Sequence, residues 1–437
     1  MLSSNAKEIV NFMSEFSTST AKKIYTGGMD ESLKSVYGYS IEHQQIRYAK
    51  LAQSFEEYFC AAPEGFYSAP GRSELVGNHT DHQRGRVIAA SVDMDIIAAV
   101  KKRSDNAVRI FSEGFGLIEA DLSNLEKADG EEGTTQSLIR GIAFALKDKG
   151  IMPFGFDAYM VSDVPAGSGV SSSAAFEILV GNIFCEGAED SMRVFLAQAG
   201  QFAENKYFGK PSGLMDQLAS SLGGITYIDF HDASAPQIEN IPFDIGKAGY
   251  NLCIVDTHSS HADLTNEYSD IFDEMKQVAS YYGKEVLSEV STEAFYSDIK
   301  KLREILGDRA VLRAMHFFEE TERVRNARDI LKKGDIDAFL DIIDRSGRSS
   351  FMYLQNAYPT GSIKEQGLAP ALAVTEKLLG GKGAFRVHGG GFAGTIQAFV
   401  PTEMTAAYKT GIEKVLGEGS CRVVKIRKVG GARLELK

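Results

Sequence analysis

Residues 165–175 read Pro165-Ala-Gly-Ser-Gly-Val-Ser-Ser-Ser-Ala-Ala175 and run straight into an apolar segment ending at Phe184. Gly167 and Gly169, one residue apart, let the backbone curl tightly and leave its N–H groups clear of side chains. A helix starting at the serines adds unpaired N–H donors and the positive end of its dipole. Gly167, Ser168, Gly169, Ser171, Ser172 and Ser173 can thus cradle an anion, most naturally the polyphosphate of a nucleotide. No Lys-Ser/Thr pair follows the glycines, so this is not a Walker loop. The third glycine and the acidic residue of a dinucleotide fingerprint are also missing. The residues alone equally allow a Gly/Ser turn that only caps a helix.

Three further blocks carry chemistry-bearing residues. Residues 69–85 read Ala-Pro-Gly-Arg-Ser-Glu-Leu-Val-Gly-Asn-His-Thr-Asp-His-Gln-Arg-Gly. Residues 203–217 read Ala-Glu-Asn-Lys-Tyr-Phe-Gly-Lys-Pro-Ser-Gly-Leu-Met-Asp-Gln, and residues 386–394 read Arg-Val-His-Gly-Gly-Gly-Phe-Ala-Gly. The four blocks, in this order, resemble the GHMP small-molecule kinases. The blocks at 69–85 and 203–217 resemble the galactokinases in particular, and the resemblance runs from about Ala69 to the C-terminus. It implies an α+β, two-domain GHMP kinase fold with the active site in the cleft between domains. It implies ATP-dependent phosphorylation of galactose at the anomeric hydroxyl, giving galactose 1-phosphate and ADP.

Transfer of a γ-phosphoryl group needs held phosphates, a metal ion and an oriented alcohol. A hard Mg2+ takes one or two protein oxygens beside those of the phosphates, and Ser172 and Glu204 stand where the superfamily has its metal ligands. On its residues alone, Glu204 reads as an exposed helix carboxylate. Asp216 is the candidate base, its structural alternative being a helix N-cap. Arg72 matches the arginine beside that carboxylate, where it would keep the acid ionised and offset charge on the phosphoryl group. Ser171 and Ser173 are expected to serve mainly in capping and packing. His79, Asp81 and Tyr268 match sugar ligands, with Gly213 and Gly390 allowing close backbone approach, so the sugar would be gripped from both domains.

One departure concerns the substrate. The family pattern has Glu before the histidine, and this chain has Asn78; His82 stands where Tyr is usual. Losing a charge-assisted hydrogen bond costs about 1–2 kcal/mol, roughly tenfold in affinity. That leaves galactose as the expected sugar, with galacturonate or an N-acetylhexosamine as alternatives, and a galactose/ATP-binding sensor as the non-catalytic one. An Asn78→Glu replacement is expected to retain or improve activity on galactose. Arg84 and Arg86 lie near enough in sequence to face a sugar carboxylate, although solvent-facing arginines are the simpler state.

The whole chain fits a soluble enzyme. Its 437 residues suggest two domains. Forty-seven Lys and Arg against 59 Asp and Glu give a net charge of −12, which disfavours nucleic-acid or membrane-surface partners. Cys60, Cys185, Cys253 and Cys421 lie far apart without a Cys-x-x-Cys, as reduced thiols of a cytoplasmic protein would. No signal peptide or membrane span is visible. Asp256, His258 and His261 mimic a metal-ligand spacing but stand without a second cluster, and a solvated loop is expected there.

The elements that must position these residues follow from periodicity. Helices are expected at 40–60, Thr135–Lys147, Ser172–Phe184, Ser191–Tyr207, Leu214–Leu222 and Glu403–Val415, with charged helices between about Asp263 and Leu379. Strands are expected at Val87–Lys101, Val108–Phe111, Phe156–Val161, Ile225–Phe230, Tyr250–Val255, Ala384–Val387, Thr395–Val400 and Val423–Arg427. Residues 1–40 read as a helical extension with a helix at Ala6–Phe16 and a Gly27-Gly28 break, packed on the first domain. The first kinase domain is placed at 41–245 and the second at 246–437, joined through a polar passage from Pro236 to Gly249.

Overall fold

The structure is a computed structural model that describes residues 16–38, 41–164, 169–232, 235–259 and 264–437. The expected helix at Ala6–Phe16, apart from Phe16, lies outside the described residues, as do Gly167, Ser168 and His261.

Among the described residues, the chain up to Ile241 forms β1 (Gly65–Val76), β2 (Arg86–Lys102), β3 (Ala107–Ser112), β4 (Gly116–Asp121), β5 (Phe156–Ser162), β6 (Ile225–Asp229) and β7 (Gln237–Ile241). The second half forms β8 (Tyr250–Asp256), β9 (Ala384–Val387), β10 (Thr395–Pro401) and β11 (Cys421–Val424), and the chain then returns as β12 (Ala432–Leu434). The larger sheet runs β12-β1-β2-β5-β3-β4, with β6 on β2 and β7 on β6; the smaller runs β11-β8-β10-β9. Strands and helices are segregated rather than alternating through a parallel sheet, which is the α+β arrangement.

β2 explains how the larger sheet is covered. Its Val, Ile and Ala residues are buried on both faces because each face meets a different layer. Ile96, Ala98 and Val100 join the core with the helices Thr135–Asp148 and Ser172–Phe184. Ile97 and Ala99 face Tyr48, Leu51 and Phe55 of the helix Ile41–Phe59. The period of two thus delivers alternate residues to two cores. The extension packs on the outer face of this sheet, and Gly27, at φ 102, breaks it between Ser19–Lys23 and Asp30–Tyr37.

Three expectations are corrected. The passage from Pro236 to Gly249 contains β7, which pairs antiparallel with β6. The last strand of the smaller sheet is Cys421–Val424 rather than Val423–Arg427, because Ile426 already bridges back to Val92 of β2. The helix expected to run to Tyr207 ends at Phe202 and continues as a wider π turn, Ala203–Phe208, which carries Glu204. β1, β4 and β12 were not foreseen. In β1 the run Pro70-Gly-Arg-Ser-Glu74 breaks any apolar alternation, yet the strand is buried from Phe66 onward. It pairs with β2 with register shifts at Pro70/Arg72 and Glu74/Val76. Such bulges re-aim side chains, and here they flank Arg72.

Candidate active site

The helix Ser172–Phe184 starts where the apolar run predicts, and Ser171 precedes it in the left-handed region, at φ 60 and ψ 63. Its hydroxyl makes no capping bond. Ser171 Oγ instead donates to Asp216 Oδ2, a correction to its expected capping role. Asp216 is the second residue of the helix Met215–Leu222, with Leu214 at the N-cap, so the N-cap alternative for Asp216 falls. Arg72 reaches the same carboxylate with two prongs, Nε to Oδ1 at 2.6 Å and Nη2 to Oδ2 at 2.8 Å. Its third nitrogen donates to the Gly169 carbonyl. Arg72 therefore ties the candidate base to the end of the glycine loop. Burial alone would raise the Asp216 carboxyl, but Arg72 and Ser171 hold it below its ordinary value. It is ionised and fixed in direction.

Glu204 is only 3 % exposed, which overturns the reading of an exposed helix carboxylate. Both of its oxygens are engaged: Lys210 Nζ donates to Oε1 at 2.9 Å and Gln217 Nε2 to Oε2 at 3.0 Å. The same Gln217 amide donates to Glu177 Oε2 at 2.9 Å. Glu177 Oε1 and Gln217 Oε1 are buried without a partner. Burial first, and then the Glu204 charge, push the Glu177 carboxyl well above its ordinary value, so Glu177 stays neutral. Glu177 lies in the helix begun by Ser172 and Gln217 follows Asp216, so this network ties together the three segments that carry Ser172, Glu204 and Asp216. A serine hydroxyl and a carboxylate are the hard oxygen donors Mg2+ takes, and Gln217 Oε1, buried without a partner on the side chain that bonds Glu204, adds an acceptor there. The donor set fits a nucleotide-bound Mg2+.

The sugar-side candidates gather on the other side of Asp216. Position 213 must be glycine, because a Cβ there would lie inside Asp81 Oδ2. Burial and the Asp216 charge push the Asp81 carboxyl up to about 6. His79 sits at φ 55, an uncommon conformation for a non-glycine residue. Its Nε2 donates to the Gly390 carbonyl at 2.9 Å, and burial lowers its pKa. A neutral ring with Nε2–H engaged presents Nδ1 as an acceptor. Gly390 is pressed against Tyr268, where an added Cβ would come within 2.6 Å of the ring, and Tyr268 Oη donates to the Gly391 carbonyl at 3.0 Å. The late glycine block and Tyr268 thus meet His79 across the two halves of the chain.

Asn78 is 0 % exposed and bonded to protein through every polar side-chain atom. Nδ2 donates to the Gly389 carbonyl at 2.6 Å and lies 3.3 Å from Glu74 Oε1. Oδ1 accepts from Asn356 Nδ2 at 2.8 Å. Glu74 in turn pairs with the fully buried Arg386 at 2.7 Å. This corrects the expected effect of Asn78→Glu, since a second carboxylate would face Glu74 and the Gly389 oxygen. Arg84 and Arg86 turn to Glu289 at 3.1 Å and Asp229 at 2.7 Å, leaving neither to meet a sugar carboxylate. Among the described residues no group of three His, Cys, Asp or Glu forms a metal site, and the four cysteines are free thiols. Reasoning from spacing missed Glu74, Glu177, Lys210, Gln217 and Asn356. Of these, only Lys210 and Gln217, inside the block at 203–217, and Glu74, inside that at 69–85, lay where attention was already drawn.

The fold and the loop-to-carboxylate geometry are those of a GHMP small-molecule kinase. Residues 53–102 match the galactokinase galactose-binding signature, and residues 137–224 match the GHMP kinases N terminal domain. The chain is 30% identical over 382 residues to a galactokinase of Streptomyces coelicolor, covering 86% of this chain and 95% of that one. It is 30% identical over 379 residues to a galactokinase of Lactococcus lactis, covering 84% and 90%. A crystal structure of Lactococcus lactis galactokinase complexed with galactose superposes with a TM-score of 0.74 at 26% identity, covering 88% of this chain and 99% of that one. A mevalonate kinase shares the fold, with a TM-score of 0.58 at 15% identity. The chain belongs to the galactokinase family.

Proposed function

We propose that this chain is a galactokinase that transfers the γ-phosphoryl group of ATP to the anomeric hydroxyl of galactose, giving galactose 1-phosphate and ADP. The observation that carries this is the two-pronged Arg72–Asp216 pair, anchored to Gly169 at the phosphate loop and facing Asp81 through Gly213. It puts an ionised acceptor between the nucleotide side and the sugar side. Asp216 takes the hydrogen bond, and then the proton, of the attacking hydroxyl. Arg72 keeps Asp216 ionised and offsets charge on the transferring group. Asp81, the His79 Nδ1 acceptor and Tyr268 orient the sugar, with Gly213 and Gly390 admitting it close to the backbone. Gly167, Ser168, Gly169, Ser171, Ser172 and Ser173 belong to the loop that takes the phosphates. Ser172 and Glu204 would hold Mg2+, which neutralises phosphate charge when bound.

The complete Arg72–Asp216 pair argues for catalysis over sugar sensing, and the buried, saturated Asn78 beside Glu74 gives no footing for a sugar carboxylate. Residues 41–245, with the returning strand β12, would form one lobe of the cleft, and residues 246 to about 424 the other, so the boundary expected at 246–437 is corrected at its C-terminal end. Free thiols and a need for ATP fit a cytoplasmic setting, and among the described residues no helix is long and apolar enough to cross a membrane. ADP release on a panel of galactose, galacturonate and N-acetylhexosamines tests the substrate, with galactose expected to lead. Asp216→Asn should lose at least about a hundredfold in turnover while still binding galactose calorimetrically. Equal or greater activity on galacturonate would overturn the substrate; near-normal turnover of Asp216→Asn would overturn the base.

A further inference from the structure

Lys210 is out of keeping with its surroundings. Its side chain is 60% exposed, yet its ammonium rests on Glu204, whose own side chain is 4% exposed. The loop beneath it is firmly held. Lys210 N donates to the Glu204 carbonyl at 3.1 Å, Pro211 follows, and Ser212 N donates to Asn205 Oδ1 at 2.6 Å. The loop then reaches Gly213 against Asp81, and Asp216 three residues later. Lys210 is therefore an exposed cation mounted on a fixed base beside Glu204.

Each oxygen of the carboxylate it holds already accepts one hydrogen bond, Oε1 from Lys210 and Oε2 from Gln217. A dication on the remaining lone pairs of Glu204 would stand against the Lys210 ammonium, and like charges at that distance repel. Gln217 is buried and shares its amide with Glu177, and releasing it would strand two buried carboxyl groups, a costly outcome. Lys210 has an exposed stem and can exchange its ion pair with Glu204 for one with another anion. The neighbouring carboxylate, Asp216, already holds Arg72 and Ser171 and keeps its remaining lone pair for the sugar hydroxyl. The anion left to receive a displaced ammonium is the nucleotide phosphate itself.

We propose that Lys210 is a phosphate ligand of this kinase: it occupies Glu204 when the carboxylate carries no metal, and donates to the nucleotide phosphates when metal and nucleotide arrive together. This rests on the reading of Glu204 and the glycine loop as the nucleotide site. Lys210 thereby supplies a local positive charge on a molecule of net charge −12, beside that of Arg72.

The test uses the full chain and a fluorescent ATP analogue titrated with Mg2+ present, for wild type, Lys210→Met and Lys210→Arg, with galactose binding and turnover measured in parallel. Lys210→Met should bind the analogue about tenfold to a hundredfold more weakly, the range one charge-assisted bond covers. It should lose turnover by a similar factor and keep its galactose affinity. Lys210→Arg should recover most of both losses. Unchanged or tighter nucleotide binding by Lys210→Met, with a lower Mg2+ requirement, would overturn the proposal, because Lys210 would then only compete with the metal for Glu204. A wild-type chain that binds no nucleotide would instead overturn the kinase reading.

Discussion

Each carboxylate at the reaction centre has a charge state set by its partners, and two predictions follow from that. Arg72 and Ser171 keep Asp216 ionised, whereas burial and Asp216 itself raise Asp81 to about 6. Burial holds His79 below its ordinary range and takes His82 down to about 3, so neither imidazole charges near neutrality. Asp81 is thus the site group whose charge changes around pH 6. Its raised value means that folded-state stability is fullest below the unfolded value near 4 and is lost as pH rises through about 6. Sugar hydroxyls favour the ionised acceptor, so galactose affinity should tighten as pH rises through about 6. Calorimetry of wild type and Asp81→Asn across that range checks this; an inflexion that survives in Asp81→Asn would reassign it. The second prediction concerns Asn78. Asn78→Glu sets a carboxylate against Glu74 and the Gly389 oxygen, with Arg386 alone to offset both. It should cost activity on galactose by more than about tenfold, and adding Glu74→Gln should restore part of the loss, because contacting residues couple by about 0.5–3 kcal/mol. Additive losses in the double variant would show that the two positions act separately.

At the scale of elements, what could be read from the sequence depended on whether function disturbed the periodicity. The helix Ser172–Phe184 was legible to the residue, since an apolar run behind small polar residues is both a start signal and a burial signal. β2 was legible because its Val and Ile content overrides everything else in it. β1 was not, although it carries Arg72 and leads into His79. Its proline, glycine and charged residues serve the site and the bulges, and they erase the alternation that marks a strand. The same conflict hid Glu204. Charged neighbours in Ala203-Glu204-Asn205-Lys206 suggest a solvated face, and only the π turn and the arrival of Gln217 bury it. Convergence of this kind leaves no local trace: Glu177, Gln217 and Glu204 share one amide across 40 residues. Motif resemblance singled out Arg72, Ser172, Glu204 and Asp216 as candidates, but not the hydrogen bonds that set the directions of Arg72, Glu204 and Asp216. Ser171 is the clearest case, a residue expected to cap a helix whose hydroxyl is spent on Asp216.

At the scale of the molecule, the extension, the helix Ile41–Phe59 and the C-terminal segment are fastened together on one buried carboxylate of β2. Asp95, fully buried in β2, accepts from Arg47 of the helix Ile41–Phe59 at 2.9 Å, from Arg427 at 2.9 Å and from Tyr37 at 2.6 Å. Arg47 also pairs with Asp163 at 2.8 Å, and Asp163 N donates to the Asp95 carbonyl at 2.9 Å. Asp163 leaves β5 two residues before the loop that begins at Pro165. Four distant parts of the chain thus meet on one buried charge, and one of them leads straight to the phosphate loop. Removing one partner of a buried ion pair costs about 3–5 kcal/mol, and with Arg427 and Tyr37 still in place Arg47→Met should cost less, on the order of 2 kcal/mol. If the cluster also sets where the loop starts, the same variant should weaken nucleotide affinity several-fold while galactose affinity stays unchanged, because Asp81, His79 and Tyr268 are anchored elsewhere. Denaturant unfolding reads the first effect, and calorimetry with nucleotide and with galactose reads the second. An equal loss for both ligands would mean that Arg47 supports the fold in general, and a stability loss with both affinities intact would uncouple the helix Ile41–Phe59 from the loop that begins at Pro165.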